Sequence, residues 1–370
     1  MRPTFAQIDL NALLHNLGVM RRANPGRRMM AVVKANAYGH GAIPCAQALS
    51  DCVDAFAVAF LEEAQALRDA GIETPILVLE GPMDSTELNS YEQLQLWPMV
   101  HTLQQLSWAT KPSSKVEHLW LGIDTGMHRL GLDVRDVDDA LHQLASHDHL
   151  KVTLASHLAD ADFPHSALSQ RQLTRWNTLI NRYKLDTSLH NSAAGFSLSE
   201  QSSDWLRTGY ALYGGSPFAG ELQPALQPVM TLTSKVIALR DIAKGEQVGY
   251  GGCWTAQRDS RIATVPIGYG DGYPRGAEST SVLIDGVIAP VVGRVSMDMI
   301  TIDVTEHHGA KIGSDVVLWG SGLAVDEIAN AAGTIGYELL TRMTGRVPLN
   351  YIPVDEQCVQ TSKQEQNPHD

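Results

Sequence analysis

Two textures divide this chain. From about residue 30 to 215, short runs that are apolar at nearly every position alternate with stretches whose apolar residues recur at helical spacing. The runs are 30–34, 55–60, 75–79, 96–101, 118–123, 152–157, 188–192 and 205–212. A run without in–out alternation suits a parallel strand buried on both faces. Between the runs, 61–70 places Glu62, Glu63 and Arg68 on one solvated face, and 166–183 reads as a second amphipathic helix. Eight runs, each followed by a connection of helix length, predict an α/β fold, an N-terminal (β/α)8 TIM barrel over 8–228. A doubly wound open sheet is the rival arrangement.

Past residue 228 the pattern becomes β-rich, with partial alternation over 230–239 and glycine turns at Gly245, Gly249–Gly252, Gly272 and Gly286. Further strands are expected at 281–284, 289–292, 299–304 and 315–319, and one helix around 325–332. This predicts a mostly-β domain over 229–357, with 1–7 packing against it and 358–370 forming a polar tail.

The chain has 370 residues, with 44% hydrophobic and 19% charged positions, as in an ordinary globular protein. A formal charge of −13 without a basic cluster argues against nucleic acid and anionic membranes as partners. No stretch approaches the ~18 apolar residues of a membrane span, and the first residues lack a secretory apolar core. Cys45, Cys52, Cys253 and Cys358 are scattered, which suits reduced thiols in the cytoplasm. Neither they nor the fourteen histidines show metal-ligand spacing, so no metal is expected.

The candidate chemistry sits at the ends of the apolar runs. Lys34 closes the first, His157 the sixth, Asn191 and Ser192 the seventh, and Arg207 with Gly209 lies in the eighth. In a barrel, strand C-termini share one mouth, where active sites form and phosphate often binds after strands seven and eight. A strand-end lysine ordinarily snorkels to solvent. Desolvated among other cations, its amine instead becomes a nucleophile that forms imines. Beside it, the hydroxyls of Ser192 and Tyr38 and glycine-flanked amides suit a phosphate. Lysine plus phosphate cradle points to pyridoxal phosphate.

Four motifs carry a resemblance that runs essentially end to end: A-V-V-K-A-N-A-Y-G-H-G at 31–41, D-T-G-M-H-R-L-G at 124–131, V-G-Y-G-G at 248–252 and G-R-V-S-M-D-M at 293–299. The chain resembles the alanine racemases. That resemblance implies a barrel followed by a β-domain, pyridoxal phosphate, and a head-to-tail homodimer whose active sites are shared. It implies that Lys34 holds the cofactor and serves as one proton-transfer base, with Tyr250 of the partner subunit as the opposing base. Arg207 is implied at the pyridine nitrogen, His157 against the cofactor ring and linking Arg207 to Tyr250, and Tyr38, Ser192, Gly209 and Tyr210 around the phosphate. Asn191 falls in the same cofactor-binding group. Arg129 and the Met297 amide are implied at the substrate carboxylate, and Tyr269 at the substrate entrance. The reaction requires two bases because a proton must leave one face of a planar carbanion and return to the other. A cationic Arg207–His157 pair would help ionise the tyrosine.

Two positions depart from the family. Gly122 stands where a lysine, often carbamylated, orients the active-site arginine, so a small anion beside Arg129 is expected to replace that charge. Gly345 precedes Arg346-Val347-Pro348 where a phosphate-contacting tyrosine is common, so a roomier pocket is expected. The reading is interconversion of L- and D-alanine, supplying D-alanine for peptidoglycan or L-alanine for catabolism. The alternatives are a broader amino-acid racemase acting on serine and others, or a non-catalytic pyridoxal-phosphate-binding protein of cofactor homeostasis.

Overall fold

The structure, a computed structural model, describes residues 2–111, 114–198, 200–218 and 225–355. The expected tail at 358–370 and Cys358 lie outside them. Eight parallel strands pair in sequence order: Arg28–Val32, Ala55–Val58, Ile76–Val78, Leu96–Val100, His118–Asp124, Lys151–Ala155, Asp186–His190 and Trp205–Thr208. The eighth pairs with the first (Trp205 opposite Arg28, Thr208 opposite Ala31) and the fourth with the fifth (Met99 opposite Trp120). The sheet is therefore closed, which decides against the open-sheet rival. Each strand coincides with one of the eight apolar runs, because residues facing the barrel interior and residues facing the helices are both buried.

Helix Leu10–Ala23 precedes the first strand and was not marked by the run pattern. Asp9 starts it, accepting from the N–H groups of Asn11 and Ala12. The helix packs against helix Ala42–Leu49, helix Ser192–Ser197 and the turn Tyr210–Tyr213 after strand eight. It covers the place an eighth barrel helix would hold.

Inside the barrel, Trp97, Trp120 and Trp205 fill the end where the strands begin; Trp120 and Trp205 meet edge to face at 5.4 Å. Arg28 lies over the Trp205 ring at 4.3 Å. This aromatic plug leaves the opposite end, where strands finish, open for polar side chains.

The β-domain contains a six-stranded sheet in the order Val287–Pro290, Ser281–Ile284, Asp315–Trp319, Met230–Lys235, Phe5–Asp9, Leu349–Ile352. A second sheet joins Ala238–Ile242, Ser260–Val265 and Ile300–Asp303. The β-rich stretch 230–239 is divided between two strands in different sheets. Buried and half-buried positions alternate along Met230–Lys235; the chain then turns at Val236 and Ile237 and the next strand is more exposed. Among the described residues no helix is long and apolar enough to cross a membrane.

Candidate active site

The first barrel strand ends at Val32, and Lys34 opens a turn of unusual hand. Ala35, Asn36, Ala37 and Tyr38 all have φ between 51° and 55°, four consecutive non-glycine residues in the left-handed region. Each such residue costs about 1–2 kcal/mol, so the turn persists only where its surroundings enforce it. They do so at many points. Glu63 accepts the Ala35 N–H at 2.6 Å, and Asn36 accepts the Ala42 N–H at 2.9 Å. His40 Nδ1 lies 3.0 Å from the carbonyls of both Ala37 and Tyr38. Burial lowers the His40 pKa to about 4 despite those carbonyls, so the ring is neutral and Nδ1 carries the proton toward them. His40 stacks on Tyr213 at 4.6 Å, and the Tyr213 hydroxyl donates to the Val32 carbonyl at 2.9 Å.

Lys34 makes no hydrogen bond or ion pair with any described residue. Burial lowers its pKa, Glu80 and Glu63 oppose this, and Arg129 and Arg207 reinforce it. The amine opens onto a cavity of about 800 Å3 at the strand C-termini. Tyr38, Arg129 and His157 line the same cavity, as do Asn191, Ser192, Arg207, Gly209 and Tyr210. Nine residues picked from the sequence therefore share one chamber.

Its phosphate-sized corner lies between the ends of strands seven and eight. Ser192 Oγ accepts the N–H groups of Gly209 (3.0 Å) and Ala211 (3.3 Å), leaving its own proton free to donate. Asn191 caps the short helix Ser192–Ser197, accepting from Ala194 at 3.0 Å. A Cβ at Gly209 would stand 2.7 Å from the Tyr38 hydroxyl, so only glycine lets that hydroxyl in. Burial raises the Tyr38 pKa to about 12, which keeps it a donor. The Tyr210 hydroxyl is already committed, donating to Asp326 at 2.6 Å, and its ring stacks on Tyr337 at 3.8 Å. Tyr337 and Asp326 were not picked from the sequence. Tyr337 comes from the short helix Gly336–Thr341, whose amphipathic spacing reads as ordinary, and it also packs against Tyr38 at 6.0 Å. Where Gly345 offers no side chain, this helix supplies a tyrosine that lines the cavity.

Arg207 is buried without a carboxylate partner among the described residues. It donates to the carbonyls of Ser188 (3.0 Å) and Ser156 (2.7 Å) and to the Ser188 hydroxyl (2.5 Å). Burial lowers its pKa to about 10, so it stays charged at neutral pH. Its Nη2 also faces His157 Nδ1 at 3.4 Å. The expected cationic pair is corrected here. The packed wall around His157, and then Arg207, Arg129 and Lys34, hold that imidazole well below the ordinary histidine range. With the Arg207, Arg129 and Lys34 charges around it, His157 is a neutral acceptor toward Arg207, although its side chain is exposed to the open cavity.

Arg129 sits on the loop after strand five. Ile123 pairs with Leu132, which pins both ends of that loop. Asp124 ties it internally, accepting from Gly126 (2.8 Å) and His128 (3.0 Å) and binding the His128 ring at 2.8 Å. Burial opposes ionisation of Asp124, but these donors outweigh it and lower its pKa. Arg129 itself is exposed and makes no hydrogen bond or ion pair with a described residue. The side-chain space that Gly122 leaves borders His101. A Cβ there would stand 2.6 Å from His101 Nδ1, so an imidazole already occupies that space.

Tyr250, Tyr269 and Met297 do not line the cavity of their own chain. They lie on three adjoining loops of the β-domain. Tyr269 and Gly270 donate to the carbonyls of Ser296 (3.1 Å) and Met297 (2.9 Å), and Gly249 abuts Arg294. Tyr250 is 70% exposed and Met297 52%, and the Met297 N–H donates to no described residue.

Comparison with known proteins places these features in a family. The family model "Alanine racemase, N-terminal domain" matches residues 8–217, and "Alanine racemase, C-terminal domain" matches 229–351. An alanine racemase of Stutzerimonas stutzeri is 46% identical over 95% of this chain and 100% of its own length. The biosynthetic and catabolic alanine racemases of Pseudomonas aeruginosa are 43% and 44% identical over 95% of this chain and 99% of their own. The crystal structure of biosynthetic alanine racemase from that organism has a TM-score of 0.91 at 43% identity, covering 95% of this chain and all of the other. Alanine racemase from Bartonella henselae, solved with covalently bound pyridoxal phosphate, has a TM-score of 0.87 at 29% identity over 95% of this chain and all of its own.

Proposed function

The chain belongs to the alanine racemase family and is an isomerase, and on that premise we propose that it interconverts L- and D-alanine with two opposed bases, Lys34 and Tyr250 of the partner subunit. The observation that carries this reading is the Lys34 amine: desolvated, unpartnered and aimed into a chamber that also presents an anion corner.

The residues present fit pyridoxal phosphate. About 800 Å3 is ample for a cofactor of that size with a small substrate. The free Ser192 proton and the Tyr38 hydroxyl would hold the phosphate, with Tyr210 and Tyr337 walling that corner. The Arg207 guanidinium would face the ring nitrogen, and His157 the ring. The chemistry that pyridoxal phosphate supplies when bound is an aldehyde that condenses with amines and a ring that draws electrons from the adjacent carbon.

Everything else falls to the protein. Lys34 Nζ, with its lowered pKa, takes or returns the α-proton on one face. Arg207, permanently charged, cannot hand a proton to the ring nitrogen. Arg129, without a partner among the described residues, and the open Met297 N–H of the partner subunit would bind the substrate carboxylate. The exposed cluster of Tyr250, Tyr269 and Met297 is the surface expected to complete the mouth of a second copy. Unpaired thiols at Cys45 and Cys253 suit the cytoplasm.

Reconstitution tests this directly. Protein incubated with pyridoxal phosphate should become yellow, bleach with borohydride, and racemise alanine in both directions. A colourless protein, or one that turns over serine and not alanine, would reject the assignment.

A further inference from the structure

His101 is a buried imidazole with one nitrogen committed and one not. Its Nε2 lies 2.7 Å from the Leu79 carbonyl, an oxygen that can only accept, so Nε2 carries the hydrogen. Nδ1 therefore presents a lone pair. That atom is buried, has no hydrogen-bond partner, and belongs to a residue only 8% exposed that lines the candidate active-site cavity. An unpaired acceptor in such a place is destabilising unless a donor reaches it.

The neighbourhood identifies the donor. His101 follows strand four and lies against Gly122 of strand five, within 2.6 Å of where a Cβ would begin. The loop leaving strand five folds back on itself; Gly131 is so close to Ile123 and Asp124 that a Cβ would collide with their backbone. Arg129, two residues earlier, is thereby kept beside the end of that strand. It has several N–H groups and no hydrogen-bond or ion-pair partner among the described residues, and its field reaches the His101 ring together with that of Glu80. Burial and Arg129 favour the neutral ring, which Glu80 and the Leu79 carbonyl oppose; the balance lowers the His101 pKa, preserving the lone pair at neutral pH.

We propose that His101 is a positioning residue for Arg129: its Nδ1 accepts one guanidinium N–H and turns the others toward the substrate carboxylate. Because this acceptor is neutral, the positive charge of Arg129 remains undivided for the substrate. The inference rests on the reading of Arg129 as the carboxylate's partner.

Three variants of the holoenzyme test it. His101→Gln retains a donor for Leu79 and lacks the Nδ1 acceptor, His101→Asn retains an acceptor near Nδ1, and His101→Leu lacks both. KM for both alanine enantiomers should rise about tenfold to a hundredfold in His101→Gln and His101→Leu, the range for a hydrogen bond to a charged group. kcat should change less than KM, and His101→Asn should recover most of the loss. In the wild-type protein, ring-15N NMR should show an Nδ1 resonance that shifts downfield in Arg129→Met as the hydrogen bond is lost. Wild-type KM in His101→Gln, no recovery in His101→Asn, or an Nδ1 resonance indifferent to Arg129→Met would overturn the proposal. An unchanged KM in Arg129→Met would instead remove the carboxylate reading on which it stands. If Arg129→Met raises KM and His101→Gln multiplies it independently, the carboxylate reading survives and the positioning role fails.

Discussion

At the barrel mouth, Lys34 is walled in by Glu63, Glu80 and a left-handed turn that His40 braces, and burial lowers its pKa. On the β-domain, Tyr250 is 70% exposed between glycines, outside the cavity of its own chain. The first environment is complete in one chain, because the elements that shape it are the barrel's own strands and their loops. The second, exposed in the single chain, would gain an environment only under the proposed second copy. On the proposed reading, one half of the chemistry is built by folding and the other by association, and the two should respond differently to mutation.

The largest effect is expected at the half that folding builds. Lys34→Ala should lower racemisation in both directions by more than about a thousandfold, since it removes a base and the cofactor's anchor together. Circular dichroism should show the fold retained, because Lys34 has no protein partner to lose. Tyr250→Phe should follow, at about a hundredfold or more. It breaks the comparison most informatively when mixed with Lys34→Ala. A mixed dimer has one mouth with neither base and one with both, so mixing two inactive proteins should restore up to about a quarter of normal activity. Failure to complement would mean that Tyr250 does not cross between copies.

A smaller loss should come from Gly209→Ala, whose Cβ would fall 2.7 Å from the Tyr38 hydroxyl. We expect about tenfold weaker retention of pyridoxal phosphate, read by dialysis and absorbance, with little change in dimer content. A Gly209→Ala protein that keeps its cofactor would remove Tyr38 from the phosphate site.

The mildest expectation concerns pH. His40, His118 and His190, all buried in the barrel, have pKa values lowered to about 4, chiefly by burial. Between the unfolded value near ~6.5 and the folded value, the unfolded chain binds a proton that the native chain does not. Stability is therefore present in full above that upper value and is lost as pH falls through the window, by about 1.4 kcal/mol per pH unit for each histidine. Urea midpoints at pH 7.5, 6 and 5 should decline in that order; a flat series would contradict the neutral rings.

The barrel was legible because strands buried on both faces leave uninterrupted apolar runs, and their polar ends marked the mouth. Closure was not legible, since it depends on the pairing of Met99 with Trp120, a contact no local pattern encodes. Nor was the turn after Val32, because nothing in Ala-Asn-Ala-Tyr demands positive φ; the packing of His40 and Glu63 imposes it. Tyr337 escaped notice for a similar reason. Its helix looks ordinary, and only Gly336, where a Cβ would collide with the Tyr210 hydroxyl, hints at close packing. His101 looked like a strand-end histidine until Gly122 was seen beside it.

The strand Phe5–Asp9 lies between Met230–Lys235 and Leu349–Ile352, with Ala6 opposite both Leu232 and Leu349. During synthesis on the ribosome, the first strand of the chain must therefore wait for nearly the last. The barrel's strands can pair among themselves before residues 349–352 are made, but the six-stranded sheet cannot be finished until then. The loops bearing Tyr250, Tyr269 and Met297 also follow the barrel's eighth strand in the chain, so the exposed cluster proposed to meet a second copy is made after all of the barrel's own strands.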